Sequence, residues 1–176
     1  MVEIYPNTKK NSVFQNNKDK TGYKNFFTKK PCSSKFGVWV YNQTKQKINK
    51  KLIKKIVQEV FKKMKFKEKA EISIIFVGEK KIKQLNKKYR KINKITDVLS
   101  FGLWKLEGTQ NNFGEIFICY QKIIKQAKIF KHSVFQELKI ILIHGILHLL
   151  GYDHEKKRDW EKMREMEEKL FKNFKF

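Results

Sequence analysis

Three of the four histidines in the chain lie within HGILHLLGYDH, which runs from His144 to His154. Residues four apart share one face of an α-helix, so His144 and His148 can reach the same cation. Gly151 can end the helix in the left-handed conformation, and the chain can then turn back to bring His154 to the same point. Three neutral imidazoles that leave a fourth position open are typical of catalytic zinc. The spacing predicts one Zn²⁺ per chain, with His144, His148 and His154 as its ligands.

The same spacing occurs in metzincin proteases, whose motif has Glu immediately after the first histidine. That Glu is the general base of peptide hydrolysis. In this chain the position is Gly145, which has no group that can accept a proton. Peptide hydrolysis therefore lacks its main catalyst, and a metzincin-like metalloprotease or other hydrolase is the weaker alternative.

The charge of the chain is strongly and unevenly positive. Its 41 Lys and Arg face 17 Asp and Glu, a net charge of +24, and Gln43–Lys94 alone holds 19 bases against four acids. Such a field attracts polyanions such as RNA, DNA or anionic lipid. Only three of the bases are Arg, and a lysine bias can equally reflect nucleotide composition. Among the three, Arg90 offers a planar fork that suits phosphate.

The elements that must position these residues can be identified from periodicity. Apolar residues recur at helical spacing along Ile48–Met64, whose other face is largely lysine. A shorter helix is predicted over Glu79–Arg90, and another over Gln121–Phe130. Ser133 and Gln136 form a capping box, which predicts that the histidine-bearing helix begins there and runs to Leu150. A last amphipathic helix is predicted to turn four residues inward: Trp160, Met163, Leu170 and Phe171.

Alternating or β-branched runs predict four strands, at Phe36–Tyr41, Glu71–Val77, Asp97–Trp104 and Glu115–Tyr120. Together the elements predict a single α+β domain over residues 36–176. Its core would be a mixed β-sheet of about four strands packed with about five helices, with the metal site at the end of a central helix. Residues 1–35 hold eight Lys and no sustained period, which predicts a basic, disordered N-terminal extension.

Other features exclude several classes of protein. Two cysteines without framework spacing argue against a disulfide scaffold and suit a reducing compartment. The longest apolar run, Ile140–Leu150, is too short to span a bilayer and is interrupted by histidines. The N-terminus lacks the apolar core of a secretory signal. We expect a cytoplasmic protein without a membrane partner.

Three blocks of the sequence resemble one known family. HGILHLLGYDH, LNKKYRKINKITDVLSF at Leu85–Phe101 and FGEIFIC at Phe113–Cys119 occur in the order found in the YbeY family of endoribonucleases and rRNA maturation factors. The resemblance extends from Phe36 to the C-terminus. It implies a zinc-dependent endoribonuclease, specific for single strands, that acts in late ribosome maturation, 16S rRNA 3′-end processing and ribosome quality control. The implied partners are the 16S rRNA precursor and the small ribosomal subunit with its assembly factors.

The resemblance also carries over to single residues. His144, His148 and His154 match the metal ligands of the family, and Arg90 matches an arginine that serves RNA handling or catalysis. Three further candidates for substrate binding or for orienting the site follow from their polar side chains at the start of a strand: Thr96, Asp97 and Ser100. A non-catalytic ribosome assembly factor with a structural zinc is a second alternative. It would support maturation even with the site altered.

Overall fold

The computed structural model describes residues 36–66, 69–102, 112–152 and 157–172, so the predicted extension over residues 1–35 lies outside the described residues. Nine elements follow one another along this part of the chain, in the mixed order that the sequence predicts. They are β1 (Phe36–Asn42), α1 (Lys50–Lys63), β2 (Ala70–Val77), α2 (Glu79–Arg90), β3 (Val98–Gly102), β4 (Asn112–Cys119), α3 (Tyr120–Ile129), α4 (Val134–Leu149) and α5 (Lys157–Lys172).

The four strands form one mixed sheet in the order β1-β2-β4-β3. β1 and β4 run parallel to β2, whereas β3 lies antiparallel to β4 at the edge. β2 is buried along nearly its whole length, as its run of β-branched residues indicates. The prediction of a four-stranded mixed sheet with five helices is confirmed.

Successive residues of a strand point to opposite faces of a sheet, and both faces are covered here. Ile72, Ile74 and Ile116 pack into the larger apolar cluster, with α1, α3, α4 and α5. Ile75 and Phe117, one residue further along, pack with α2 into a smaller cluster on the other face. Consequently α2 and α4 lie on opposite faces of the sheet.

Helix α4 passes through the larger cluster and is buried on almost every side. It begins at the predicted capping box, where the Ser133 hydroxyl accepts from the Gln136 amide and the Gln136 side chain accepts from the Ser133 amide. Gly151 follows its end with a φ of +89°, in the left-handed region. Both predictions are confirmed. The capping box and Gly151 thus define the two ends of the histidine-bearing helix.

The inward face of α5 was predicted with one error. Met163 and Leu170 are buried, but 45% of Trp160 is exposed, and the Arg164 guanidinium lies 5.2 Å from its ring centre. Trp160 belongs to the first turn of α5 and lies three residues before Met163, the first residue of this helix in the larger apolar cluster. Among the described residues, no helix combines the length and apolarity needed to cross a bilayer.

Candidate metal centre

His144 and His148 meet through the ring nitrogens that metals bind. Their Nε2 atoms are 3.1 Å apart, with ring centres at 4.5 Å and ring planes at 80°. Two imidazoles that bind one tetrahedral zinc at about 2.0–2.1 Å would place these nitrogens about 3.4 Å apart. His148 is fully buried at this point. The pair therefore fits half of a tetrahedral site with only a small adjustment.

Glu167 on α5 fixes the orientation of His144. Its Oε1 atom is 2.6 Å from His144 Nδ1, which is hydrogen-bonding distance. When Nδ1–H donates to this carboxylate, the lone pair of Nε2 faces His148 and is available to a metal. The sequence analysis did not single out Glu167, because no local pattern connects residues 23 positions apart.

A buried lysine helps to hold α5 against α4. Lys139 Nζ lies 3.7 Å from the ring centre of Phe171 and 3.4 Å from its carbonyl oxygen. Burial lowers the pKa of the Lys139 ammonium, so the aromatic ring and the helix-end carbonyl must offset part of its lost hydration. This contact anchors the end of the helix that carries Glu167.

The third predicted ligand, His154, lies outside the described residues. Within the described ranges, no three His, Cys, Asp or Glu side chains come together in a way that could hold a metal ion. The prediction of a three-histidine site therefore rests on the two histidines that the structure brings together and on the sequence spacing of the third.

Gly145 faces the sheet, and this orientation explains why a protease base could not occupy its position. A Cβ atom there would lie 3.1 Å from both Ser100 Oγ and Ile116 Cδ1. The Ser100 hydroxyl also donates to the Gly145 carbonyl over 3.2 Å. A Glu side chain would have to displace this packing, and Ser100 instead holds the helix beside His144 against β3.

Thr96 and Asp97, the other two residues predicted to contact the substrate, form hydrogen bonds within the protein. Asp97 accepts hydrogen bonds from the Val98 amide at 2.9 Å and from Gln126 Nε2 at 2.8 Å. The Thr96 hydroxyl lies 3.1 Å from Asp97 Oδ1 and 3.3 Å from the Val98 carbonyl. These bonds tie the start of β3 to α3. A direct contact of Thr96, Asp97 or Ser100 with RNA stays a prediction.

Arg90 belongs to the helix that packs on the face of the sheet opposite to the histidine-bearing helix α4. It is the last residue of α2 and only 8% exposed, and its neighbour Tyr89 packs on Phe101 with ring centres 5.2 Å apart. On the other face, Leu149 of α4 packs over Gly102 and Gly114, the next pair in the β3–β4 register. A direct contact of Arg90 with RNA stays a prediction.

Glu115 is a second buried charge on the α2 face. It is fully buried, pairs with Phe101 in the register, and lies two residues before Phe117 of the α2-side cluster. Burial raises the pKa of the Tyr41 hydroxyl, and the negative charges of Glu115 and Glu71 raise it further. A charged carboxylate buried this deeply requires a compensating cation, and Arg90 is a buried residue of opposite charge on α2, the helix that covers this face.

The chain matches a known protein family. A sequence model of the family described as Endoribonuclease YbeY matches residues 39–175. This chain belongs to the YbeY family. A YbeY protein of Thermodesulfovibrio yellowstonii is 51% identical over 106 residues, covering 59% of this chain and 67% of the relative. A YbeY protein of Ureaplasma parvum is 39% identical over 140 residues, covering 77% of this chain and 90% of the relative.

A solved structure supports the same fold for the YbeY-family domain. The solution structure of a Thermotoga maritima protein superposes with a TM-score of 0.51 at 30% sequence identity, covering 77% of this chain and 89% of that one. The YbeY relatives are named endoribonucleases, enzymes that hydrolyse phosphodiester bonds within RNA. The prediction of a hydrolase of this class is confirmed, which argues against both the protease and the non-catalytic assembly factor.

The role of Glu167 in this YbeY-family site can be tested by removing its charge. We expect Glu167→Gln to lower zinc affinity roughly 10- to 100-fold, because a neutral amide is a weaker partner for His144 Nδ1–H. Competition with a chromogenic chelator measures the affinity. Glu168→Gln is the matched control, because Glu168 neighbours Glu167 on α5 but is exposed, and its ion pairs within the described part of the chain are with Arg164 and Lys172 at 3.4 and 3.8 Å. Equal affinities in the two variants would contradict the role of Glu167.

Proposed function

We propose that this chain is a zinc-dependent endoribonuclease that cuts single-stranded RNA. The observation that carries the proposal is the histidine pair, whose Nε2 atoms are 3.1 Å apart while Glu167 occupies the other nitrogen of His144. In the proposed cellular role the enzyme acts in the cytoplasm on the 16S rRNA precursor, within the small ribosomal subunit and its assembly factors. There it serves 3′-end processing, late maturation and quality control of ribosomes.

Different residues would bind the zinc and orient its ligands. His144 and His148, with His154 as the third ligand, would hold the zinc, and Glu167 keeps His144 in the binding tautomer. Bound zinc supplies Lewis acidity, which stabilises negative charge on a phosphoryl group. Ser100 and Gly145 hold α4 close to the sheet, so that the ligands are presented by a rigid helix.

The lysine face of α1 supports RNA as the substrate. Its lysines are exposed while its apolar face is buried in the larger cluster, and they are Lys50, Lys51, Lys54, Lys55 and Lys62. Such a face makes phosphate contacts that do not depend on base sequence. Site selection must then come from the strandedness of the RNA and from the ribosomal particle.

The test is one incubation of wild type and His144→Ala with an unstructured RNA and with a duplex of the same sequence. We expect wild type to cut the unstructured RNA, to stop when a chelator is added, and to recover when Zn²⁺ is restored. His144→Ala, purified identically to control for contaminating nuclease, should be inactive on both RNAs. Cleavage that persists in the chelator, or in His144→Ala, would contradict the proposal.

A further inference from the structure

A cavity of about 400 Å³ opens between the end of α1, α5 and Tyr152, which follows the end of α4. Three lysines line it, Lys63, Lys65 and Lys169, and none of its seven described lining residues is acidic. Its volume lies within the range of about 300–1,000 Å³ that is typical of small-molecule sites. The cavity therefore combines the size of a ligand site with a positive lining.

The remaining lining of the cavity is apolar and partly aromatic. Met64, Tyr152 and Met166 contribute to it, and all three are partly buried against the larger apolar cluster. The lining thus offers a ring and two thioethers for flat apolar contact next to three cations. A nucleotide complements this lining, because its base has apolar faces that can pack on a ring or a thioether and its phosphate is an anion that pairs with lysine.

The cavity is a neighbour of the candidate metal centre on the same face of the sheet. The Tyr152 amide donates to the Leu147 carbonyl over 3.0 Å, which places Tyr152 against the helical turn that carries His148. Met166 precedes Glu167, the partner of His144, on α5. α5 and the end of α4 therefore contribute residues to both the histidine pair and the cavity.

We propose that this cavity receives one unpaired nucleotide of the RNA substrate, with its base against Tyr152 and its phosphates at Lys65 and Lys169. The inference rests on the proposed function and deepens it, because it gives single-strand preference a physical cause. A base inside a duplex is paired and stacked and cannot enter a cavity of this kind, whereas a base in a single strand can be turned out.

Lys65 allows a clean test, because its backbone is left-handed, with a φ of +51° after the end of α1. Glycine adopts this conformation without steric penalty, so Lys65→Gly removes the charge while relieving the backbone. Lys131 has the same geometry, with a φ of +53° after α3, and does not line the cavity. Lys131→Gly is thus a matched control with the same loss of charge and the same backbone relief.

The binding experiment uses zinc-loaded protein and a phosphorothioate RNA, which keeps its backbone charge and resists cleavage. Fluorescence anisotropy is followed as salt is varied, for an unpaired oligonucleotide and for a duplex. We expect Lys65→Gly to bind the unpaired RNA about fivefold more weakly at about 0.1 M salt, with the salt slope lowered by about 0.7. Lys131→Gly should stay within about twofold of wild type, because its lost charge lies away from the bound strand.

A second pair of variants tests the base contact. Tyr152→Leu keeps apolar bulk but loses the aromatic face, so we expect affinity for the unpaired RNA to fall at least about fivefold. Tyr152→Phe keeps the ring and should bind as wild type does. Both Tyr152→Leu and Lys65→Gly should weaken binding of the duplex less than they weaken binding of the unpaired RNA.

The outcomes separate this inference from the proposed function. If wild type binds no RNA, the proposed function itself fails. If wild type binds but Lys65→Gly and Lys131→Gly lose affinity equally, the cavity is not a nucleotide site. RNA binding then depends only on the overall positive charge of the protein. Equal losses on unpaired RNA and duplex would likewise overturn the cavity, since a surface contact does not distinguish them.

Discussion

His148→Ala is expected to purify without zinc, whereas wild type is expected to carry about one zinc per chain. The imidazole that it removes is fully buried, with Nε2 3.1 Å from that of His144, and the described residues offer no other cluster of three metal-binding side chains. Because Lewis acidity contributes several kcal/mol to such reactions, cleavage of unpaired RNA should fall at least ~100-fold. Elemental analysis and a cleavage assay measure the two effects.

The fourth histidine provides the control for this variant. His132 also pairs with a carboxylate, its Nε2 lying 2.6 Å from Glu137 Oε2, but it precedes α4 and is not among the predicted ligands. His132→Gln should keep its zinc. A chelator should lower the melting temperature of wild type and of His132→Gln, because zinc stabilises the folded state by mass action, but not that of His148→Ala. Full zinc retention in His148→Ala would refute the metal site.

Arg90→Ala is expected to keep its zinc and lose roughly 10- to 100-fold in kcat/KM, the usual effect of removing a charged hydrogen-bond donor from a phosphate. We expect the zinc to be retained because an arginine cannot act as a metal ligand, and because α2 lies on the face of the sheet opposite to α4. Arg90→Lys should recover only part of the rate, because an ammonium lacks the planar fork. Steady-state kinetics with elemental analysis measures these effects.

A structural role for Arg90 gives a different result. Arg90 and Glu115 are both buried and have opposite charges, so the loss of Arg90 alone could destabilise the fold. If Arg90 serves only to offset Glu115, the double variant Arg90→Ala, Glu115→Gln should restore both the melting temperature and the rate. If Arg90 binds RNA, the double variant should regain stability while its cleavage stays low.

The local elements were accessible to sequence analysis because their signals are local. The helix over Glu79–Arg90 was predicted with its observed bounds, and the capping box of Ser133 defined the start of α4. β3 is described from Val98 to Gly102, and the predicted end of that strand at Trp104 lies outside the described residues. The position of β3 at the edge of the sheet depends on pairing with β4, which no local pattern predicts. Trp160 was assigned inward from helical periodicity, but a periodic pattern does not show how far the neighbouring surface extends.

The histidine pair could be predicted from the sequence, because helical geometry alone brings residues four apart to one face. The surroundings of that pair depend on the tertiary structure. Glu167 reaches His144 through the packing of α5 on α4, and Gly145 is turned toward β3 and β4. Arg90 ends a helix that packs on the face of the sheet opposite to α4. These placements depend on contacts between residues distant in sequence, whose pairing follows from the burial of apolar faces and not from any local spacing.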